Sequence, residues 1–365
     1  MKLWDKGFSI DKKIEQFTVG NDREIDIHIA KYDVIASKAH AKMLQKIGII
    51  TVEELVDLLR GLKTLEKQIE DGTFVIDEQF EDVHSKIEFE LTKSLGEVGK
   101  KIHTARSRND QVLVACNLYY RDHLKLIKDK TKTLFETLLG LAETYKDKVL
   151  PGYTHLQLAM PSSFGLWLGA YAESLVDDMT MLHAAYKVVN KNPLGSAAGY
   201  GSSFPINRTR TTELLGFESL NFNVVYAQMG RGKAERITAM AMANIADTLA
   251  KLSMDACLFM NQNFGFIQFP DTLTTGSSIM PHKKNPDVFE LIRARSNKLK
   301  ALPNEITMIT TNLPSGYHRD LQLIKESFVP AFESLKSCLY MTRFMLEKVN
   351  VREDIINEDR YKYMF

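Results

Sequence analysis

Four polar clusters in this chain carry the residue types that chemistry needs. The densest reads Thr275-Gly276-Ser277-Ser278-Ile279-Met280-Pro281-His282-Lys283-Lys284-Asn285-Pro286. It sets hydroxyls, lysines and an amide between a glycine and a proline, and it holds no acidic residue. Such a loop can fold over an anion and present many donors to it. Glycine ahead of Ser277 lets the hydroxyl be aimed freely, because glycine adopts backbone angles that other residues avoid. The other clusters are His103-Thr104-Ala105-Arg106-Ser107-Arg108-Asn109-Asp110-Gln111, then Gly152-Tyr153-Thr154-His155-Leu156-Gln157, then Leu313-Pro314-Ser315-Gly316-Tyr317-His318-Arg319-Asp320-Leu321-Gln322 with Lys325 following.

Arg106 and Arg108 suit carboxylates, since a guanidinium matches carboxylate geometry with paired hydrogen bonds. Two positions apart on a helix they point to different sides. One of them is therefore expected to pair with a structural carboxylate such as Asp110, leaving the other for a ligand. Asn109 adds an amide that donates and accepts. A helix starting near Asp110 would aim free N–H groups at the same anion. His155 can trade protons near neutral pH. A lone loop histidine is more often structural than catalytic, and the neighbouring Thr154 and Gln157 shift that balance toward a site. Ser277 is a poor acid and a poor base unless cations and N–H groups stabilise its alkoxide, and Lys283 is the natural source of that charge. Lys284 reads as a solvated neighbour. Tyr317, Gln322 and Lys325, taken singly, read as ordinary polar residues of a helix N-terminal turn.

The first cluster matches the signature loop GSSxMPxKxNP of the fumarase/aspartase superfamily, whose members eliminate fumarate from succinyl compounds. Taken together, the four clusters resemble the argininosuccinate lyase family, most specifically through Ser107-Arg108-Asn109-Asp110-Gln111. The resemblance runs from about Phe17 to Lys325. It implies β-elimination of argininosuccinate to arginine and fumarate. It gives His155, Ser277, Lys283 and Glu290 catalytic roles, with Glu290 behind the His155 imidazole. Arg106, Arg108, Asn109, Thr154, Gln157, Arg231, Asn285, Tyr317, Gln322 and Lys325 become substrate-binding residues. It implies a homotetramer whose active sites draw on three subunits, and needs no metal or other cofactor. Two rival readings stand beside it. One is another fumarate-releasing lyase, such as one acting on adenylosuccinate; the other is a non-catalytic, crystallin-like structural protein on the same scaffold.

Three departures from the family pattern stand out. The N-terminal stretch Phe17-Thr18-Val19-Gly20-Asn21-Asp22-Arg23-Glu24 lacks the family's substrate-contacting serine. Ala227-Gln228-Met229-Gly230-Arg231-Gly232-Lys233 lacks the acidic residues that the family places around its arginine. The chain stops at Phe365, where the family carries a further small C-terminal domain, so that domain is expected to be missing or truncated.

Long helices must position these clusters. From Leu113 to Tyr145 the apolar positions Leu113, Cys116, Tyr120, Leu124, Ile127, Thr131, Leu134, Leu138, Leu141 and Tyr145 step by three or four, which is helical periodicity. A helix from Leu113 to Leu150 would be about 55 Å long and would need partners along its length, which implies a bundle. Further long helices are predicted over Ser162–Asn190, Arg231–Asn263, Asp287–Leu302 and Leu321–Asn350, the last kinked by Pro330. Gly165 and Gly169, four apart, would permit close helix approach. Ile25–Ile47 and Val52–Ile69 read as shorter amphipathic helices, and no convincing strand run is visible. The fold class is all-α: an N-terminal helical domain over 1–107, a central fumarase/aspartase-like long-helix bundle over 108–350, and the start of a truncated C-terminal domain over 351–365.

The 365 residues, 44% hydrophobic and 25% charged, suit a globular protein with a large core. A net charge of +1 gives no global field for nucleic acid or an anionic membrane. No apolar run approaches the roughly 20 residues that span a bilayer, and no signal peptide is visible. Cys116, Cys257 and Cys338 are far apart, without metal spacing, and point to a reducing, cytoplasmic compartment.

Overall fold

A computed structural model describes residues 11–276, 278–280 and 282–364. Twelve α-helices are formed among these residues: α1 Lys12–Val19, α2 Asp22–Lys46, α3 Val52–Glu70, α4 Val83–Leu95, α5 Glu97–Lys100, α6 Arg108–Thr144, α7 Phe164–Val189, α8 Arg208–Leu215, α9 Val224–Met229, α10 Lys233–Met260, α11 Asp287–Ile309 and α12 Ile324–Leu346. The fold is all-α. Six short strands pair into three two-stranded sheets, and the longest pair is the antiparallel hairpin β1 Val149–Thr154 with β2 Gln157–Ser163. None of the helices among the described residues is long and apolar enough to cross a membrane.

The helix starts are written into the side chains. Thr51 and Glu54 exchange hydrogen bonds across the first turn of α3, a reciprocal cap that satisfies two otherwise free donors. Asp82 caps α4 by accepting from Ser85 N–H at 2.8 Å. Along α6 the predicted stripe is buried from Leu113 to Leu138, and Thr131 within it is fully buried. The helix stops at Thr144, short of Leu150, and Leu141 and Tyr145 are only half-buried.

The chain forms two compact units. Unit 1 comprises Met1–His123, Tyr186–Ile237 and Asn304–Pro330. Part of its core is a cluster of Ala36, Ala39, Val114, Leu118, Leu194, Leu215 and Phe217. Unit 2 comprises Leu124–Ala185, Thr238–Pro303 and Ala331–Phe365. It holds an aromatic cluster in which Phe266 contacts Phe259, Phe264 and Tyr361 with ring centroids 5.3, 5.3 and 6.2 Å away. Such tilted and edge-on pairs follow the ring quadrupoles. Gly165 does permit close approach: a Cβ there would lie 2.7 Å from Lys146 Cα and 2.8 Å from the Ala142 carbonyl oxygen. Gly169 faces open space.

The hairpin β1–β2 is a correction to the sequence reading, which found no convincing strand. Its residues hide the pattern, because Pro151 pairs with Pro161 and the burial does not alternate. The two-residue turn is His155-Leu156, without the Asn-Gly signal that marks such turns. Both residues are left-handed, with φ of 54° and 58°. That is uncommon for histidine and costly for leucine. Gly152 is required where the ladder slips, since a Cβ there would sit 2.6 Å from the Met160 carbonyl oxygen.

Candidate active site

In unit 1 the loop before α6 and the first turns of α2, α4 and α12 enclose a cavity of about 440 Å³. Arg106, Arg108, Asn109, Arg231, Tyr317, Gln322 and Lys325 all line it. Asp110 fixes the entrance to α6. It is fully buried, and its carboxylate accepts N–H bonds from Ser107, Gly195 and Ala197, each at 2.9 Å. Burial pushes its pKa up, and those N–H groups oppose the shift. Asp110 is thus committed to the backbone; the Arg106 charge also lowers its pKa, but among the described residues no ion pair joins it to either arginine. Arg108 pairs instead with Asp82, the cap of α4.

Arg106 is turned the other way. It is buried, and its Nη1 donates to Ser37 Oγ at 3.0 Å. Its Nε and Nη2 are buried with no hydrogen-bond partner among the described residues. A buried cation with unmet donors is a receptor for an anion. Beside it, burial and then the Arg106 charge hold His40 well below the usual imidazole range, so that histidine stays neutral. His84, also lining the cavity, lies 3.2 Å from Asp33 with both side chains fully buried. Burial pulls the His84 pKa down, but Asp33, with Asp82 and Asp26, outweighs it and the net shift is upward.

Lys325 sits in the first turn of α12 between two carboxylates of α2, 2.6 Å from Asp26 and 3.0 Å from Asp22. Burial opposes its charge, yet Asp26 and Asp22 together raise its pKa above the ordinary lysine value. Burial pushes Asp22 up to about 6, against the pull of Lys325. Gln322 donates to the Thr18 and Val19 carbonyls at 2.9 and 3.3 Å, and Arg319 donates to Thr18 at 2.9 Å, which holds the end of α1 at the cavity. Arg231 lies over the Tyr317 ring, 5.5 Å from its centroid, and donates to the Leu321 carbonyl at 3.4 Å.

The remaining candidates belong to unit 2. Thr154, His155 and Gln157 are exposed on the hairpin turn. Tyr153, packed edge-on against Phe264 at 5.2 Å, anchors that turn. Lys283, Asn285 and Glu290 lie on and after the loop that leads into α11. The loop is closed at its base by Asn285 N–H donating to the Thr275 carbonyl at 2.8 Å. Ser277 lies outside the described residues. Lys283 and Glu290 are exposed, and no described residue pairs with the Lys283 ammonium. Lys284 forms an ion pair with the exposed Asp271. Among the described residues no hydrogen bond joins His155 to Glu290.

Sequence reasoning missed Asp22, Asp26, Asp82 and His84, all of which line the cavity. A signal existed for the first two: carboxylates four apart share one face of a helix.

The fold is the fumarase-like helical fold, and the chain is a lyase by family. A family model described as Lyase matches residues 8–299. The fold is shared with the crystal structure of fumarate lyase:delta crystallin from Brucella melitensis in native form, with a TM-score of 0.81, 18% identity, and coverage of 96% of this chain and 86% of that one. Curated relatives narrow the family. The argininosuccinate lyases of Bacteroides fragilis and Bacteroides thetaiotaomicron are each 60% identical over 364 residues, covering 100% of this chain and 81% and 82% of theirs. The chain belongs to the argininosuccinate lyase family, and it is a carbon–nitrogen lyase.

Proposed function

We propose that this protein eliminates fumarate from L-argininosuccinate and releases L-arginine. The observation that carries the reading is the cavity of unit 1, which holds both signs of charge. Arg106 with unmet donors and the N-terminus of α6 suit a carboxylate of the succinyl group. The Asp22–Lys325–Asp26 group carries one carboxylate more than it has cations, which suits the guanidinium end.

The chemistry is a proton transfer followed by a bond cleavage. A base takes the proton from the carbon beside one carboxylate, and the electron pair moves into that carboxylate as an aci-carboxylate dianion. The pair then returns to form the double bond of fumarate as the carbon–nitrogen bond breaks. The leaving nitrogen takes its proton from a general acid. Ser277 and His155 are the acid–base pair in this reading. Lys283 stabilises the serine alkoxide and the dianion, and Glu290 orients His155. Thr154, Gln157 and Asn285 contact the succinyl group.

The protein works as a homotetramer in which copies share active sites, in a reducing cytoplasm. Two observations support this: His155 and Glu290 are exposed and unjoined in one copy, and the three cysteines are free.

The test is fumarate release, followed by ultraviolet absorbance, from several succinyl compounds. Argininosuccinate is expected to turn over at least about a hundredfold faster than adenylosuccinate. The reverse order would move the chain to the adenylosuccinate reading, and no release from any substrate would favour a structural protein. Light scattering showing a stable monomer at micromolar concentration would remove the shared-site part.

A further inference from the structure

A second cavity of about 340 Å³ lies in unit 1 and shares Arg231 with the first. Apart from Arg231, none of the residues given a role in the reaction above lines it. Lys233, Arg236, His318 and Ser315 line it, and no carboxylate does. Glu235, the nearest acid in sequence, is buried and engaged by Gly232 N–H at 2.6 Å and the Tyr120 hydroxyl at 3.4 Å. The cavity also receives the N-terminus of α10, a helix of 28 residues that begins at Lys233. Its dipole adds to the positive field.

A second feature is independent of charge. Gln228 is 1% exposed, lines this cavity, and has no hydrogen-bond partner for either Nε2 or Oε1 among the described residues. Arg236 Nε and His318 Nε2 are likewise buried without partners. Several unmet polar atoms around one cationic cavity are unusual in a folded protein and call for an occupant.

We propose that this cavity binds a small phosphate-bearing anion. Three cations and a helix N-terminus, with no acid in the lining, match a dianion better than a single carboxylate. The Gln228 amide and the Arg236 guanidinium supply directional donors. Because Arg231 borders both cavities, an anion held here sits beside the substrate without occupying its place.

Equilibrium dialysis of the full chain against labelled inorganic phosphate, at constant ionic strength, tests this directly and needs no enzymatic activity. Saturable binding of one phosphate per chain is expected, retained in saturating fumarate. Lys233→Gln and Arg236→Gln should each weaken it at least about tenfold. Lys132→Gln, at an exposed lysine of unit 2, should leave it unchanged. A phosphomonoester should compete with phosphate and succinate should not. Absence of saturable binding, displacement by fumarate, competition by succinate, or affinity unchanged in both cavity variants would each overturn the proposal. Lys233 is exposed, so its variant should fold even if that of Arg236 does not.

Discussion

The cavity of unit 1 and the hairpin and loop of unit 2 treat the same kinds of residue in opposite ways. In unit 1 most charged side chains are answered within the chain: buried Lys325 by Asp22 and Asp26, buried His84 by Asp33, and half-buried Arg108 by Asp82, while buried Arg106 keeps two unmet donors. In unit 2 His155, Lys283 and Glu290 are exposed, and none of them forms an ion pair with a described residue. Burying a charge without a partner is costly, so the ions of a preorganised cavity are paired in advance, and the donors left over at Arg106 call for an anionic ligand. Groups that move protons can wait in solvent until substrate and a neighbouring copy surround them. The strained His155-Leu156 turn fits this division, because fixed strain at an exposed turn presents a side chain in one direction.

The largest effect expected from breaking this contrast is at His155. His155→Asn should lower kcat by about a thousandfold, the range of a lost general acid or base, while thermal melting stays near that of the parent. An Asn side chain tolerates the left-handed turn, so the fold has no reason to suffer. Near-normal turnover would remove His155 from the proton-transfer pair.

Lys325→Met should act in the other way, through stability. It leaves Asp22 and Asp26 facing each other in a buried site without their cation, at a cost of roughly 3–5 kcal/mol. Urea unfolding at pH 7 checks this, and a change below about 1 kcal/mol would mean that water already screens the group.

The two lysines of the loop sharpen the comparison inside unit 2. Lys283→Met should cost about a hundredfold in kcat, the usual loss of one preorganised donor. Lys284→Met breaks only an exposed pair with Asp271 and should change kcat by less than about threefold. Equal losses would show that the loop presents both lysines to substrate.

The contrast between the units also explains what the sequence made legible. The long helices were visible because α6 repeats buried apolar residues every three or four positions, and even Thr131 obeyed the stripe. The recognition residues around Ser107 and Tyr317 were visible as runs of donors. The acids that answer them were not, because Asp22 and Asp26 on α2 and Asp82 at the start of α4 are far in sequence from Lys325 and Arg108, and only folding brings them together. The partner of Arg108 was misplaced for the same reason: Asp110 is adjacent in sequence, but Gly195 and Ala197 from a distant loop claim it. The hairpin escaped notice because prolines and a turn without glycine gave it no strand signature.

Asp22 gives the smallest and most specific test. Its folded pKa, about 6, lies above the ordinary value of 3.8, so the folded state holds the proton more tightly than the unfolded chain. The stability this contributes is fully present below about pH 4 and is lost as pH rises through about 6. Lys325, Asp26 and Asp82 are the charged groups that act on it, and none of them takes over its proton when it becomes an amide. Asp22→Asn should therefore gain on the parent between about pH 4 and pH 6 and run parallel to it above. Urea unfolding at fixed protein concentration, repeated across that window, reads the difference, and parallel curves throughout would place Asp22 in water. The same substitution separates stability from recognition. Without a carboxylate for the cationic end, KM for argininosuccinate should rise while kcat changes little, and the rise should be largest above about pH 6, where the parent carboxylate is charged.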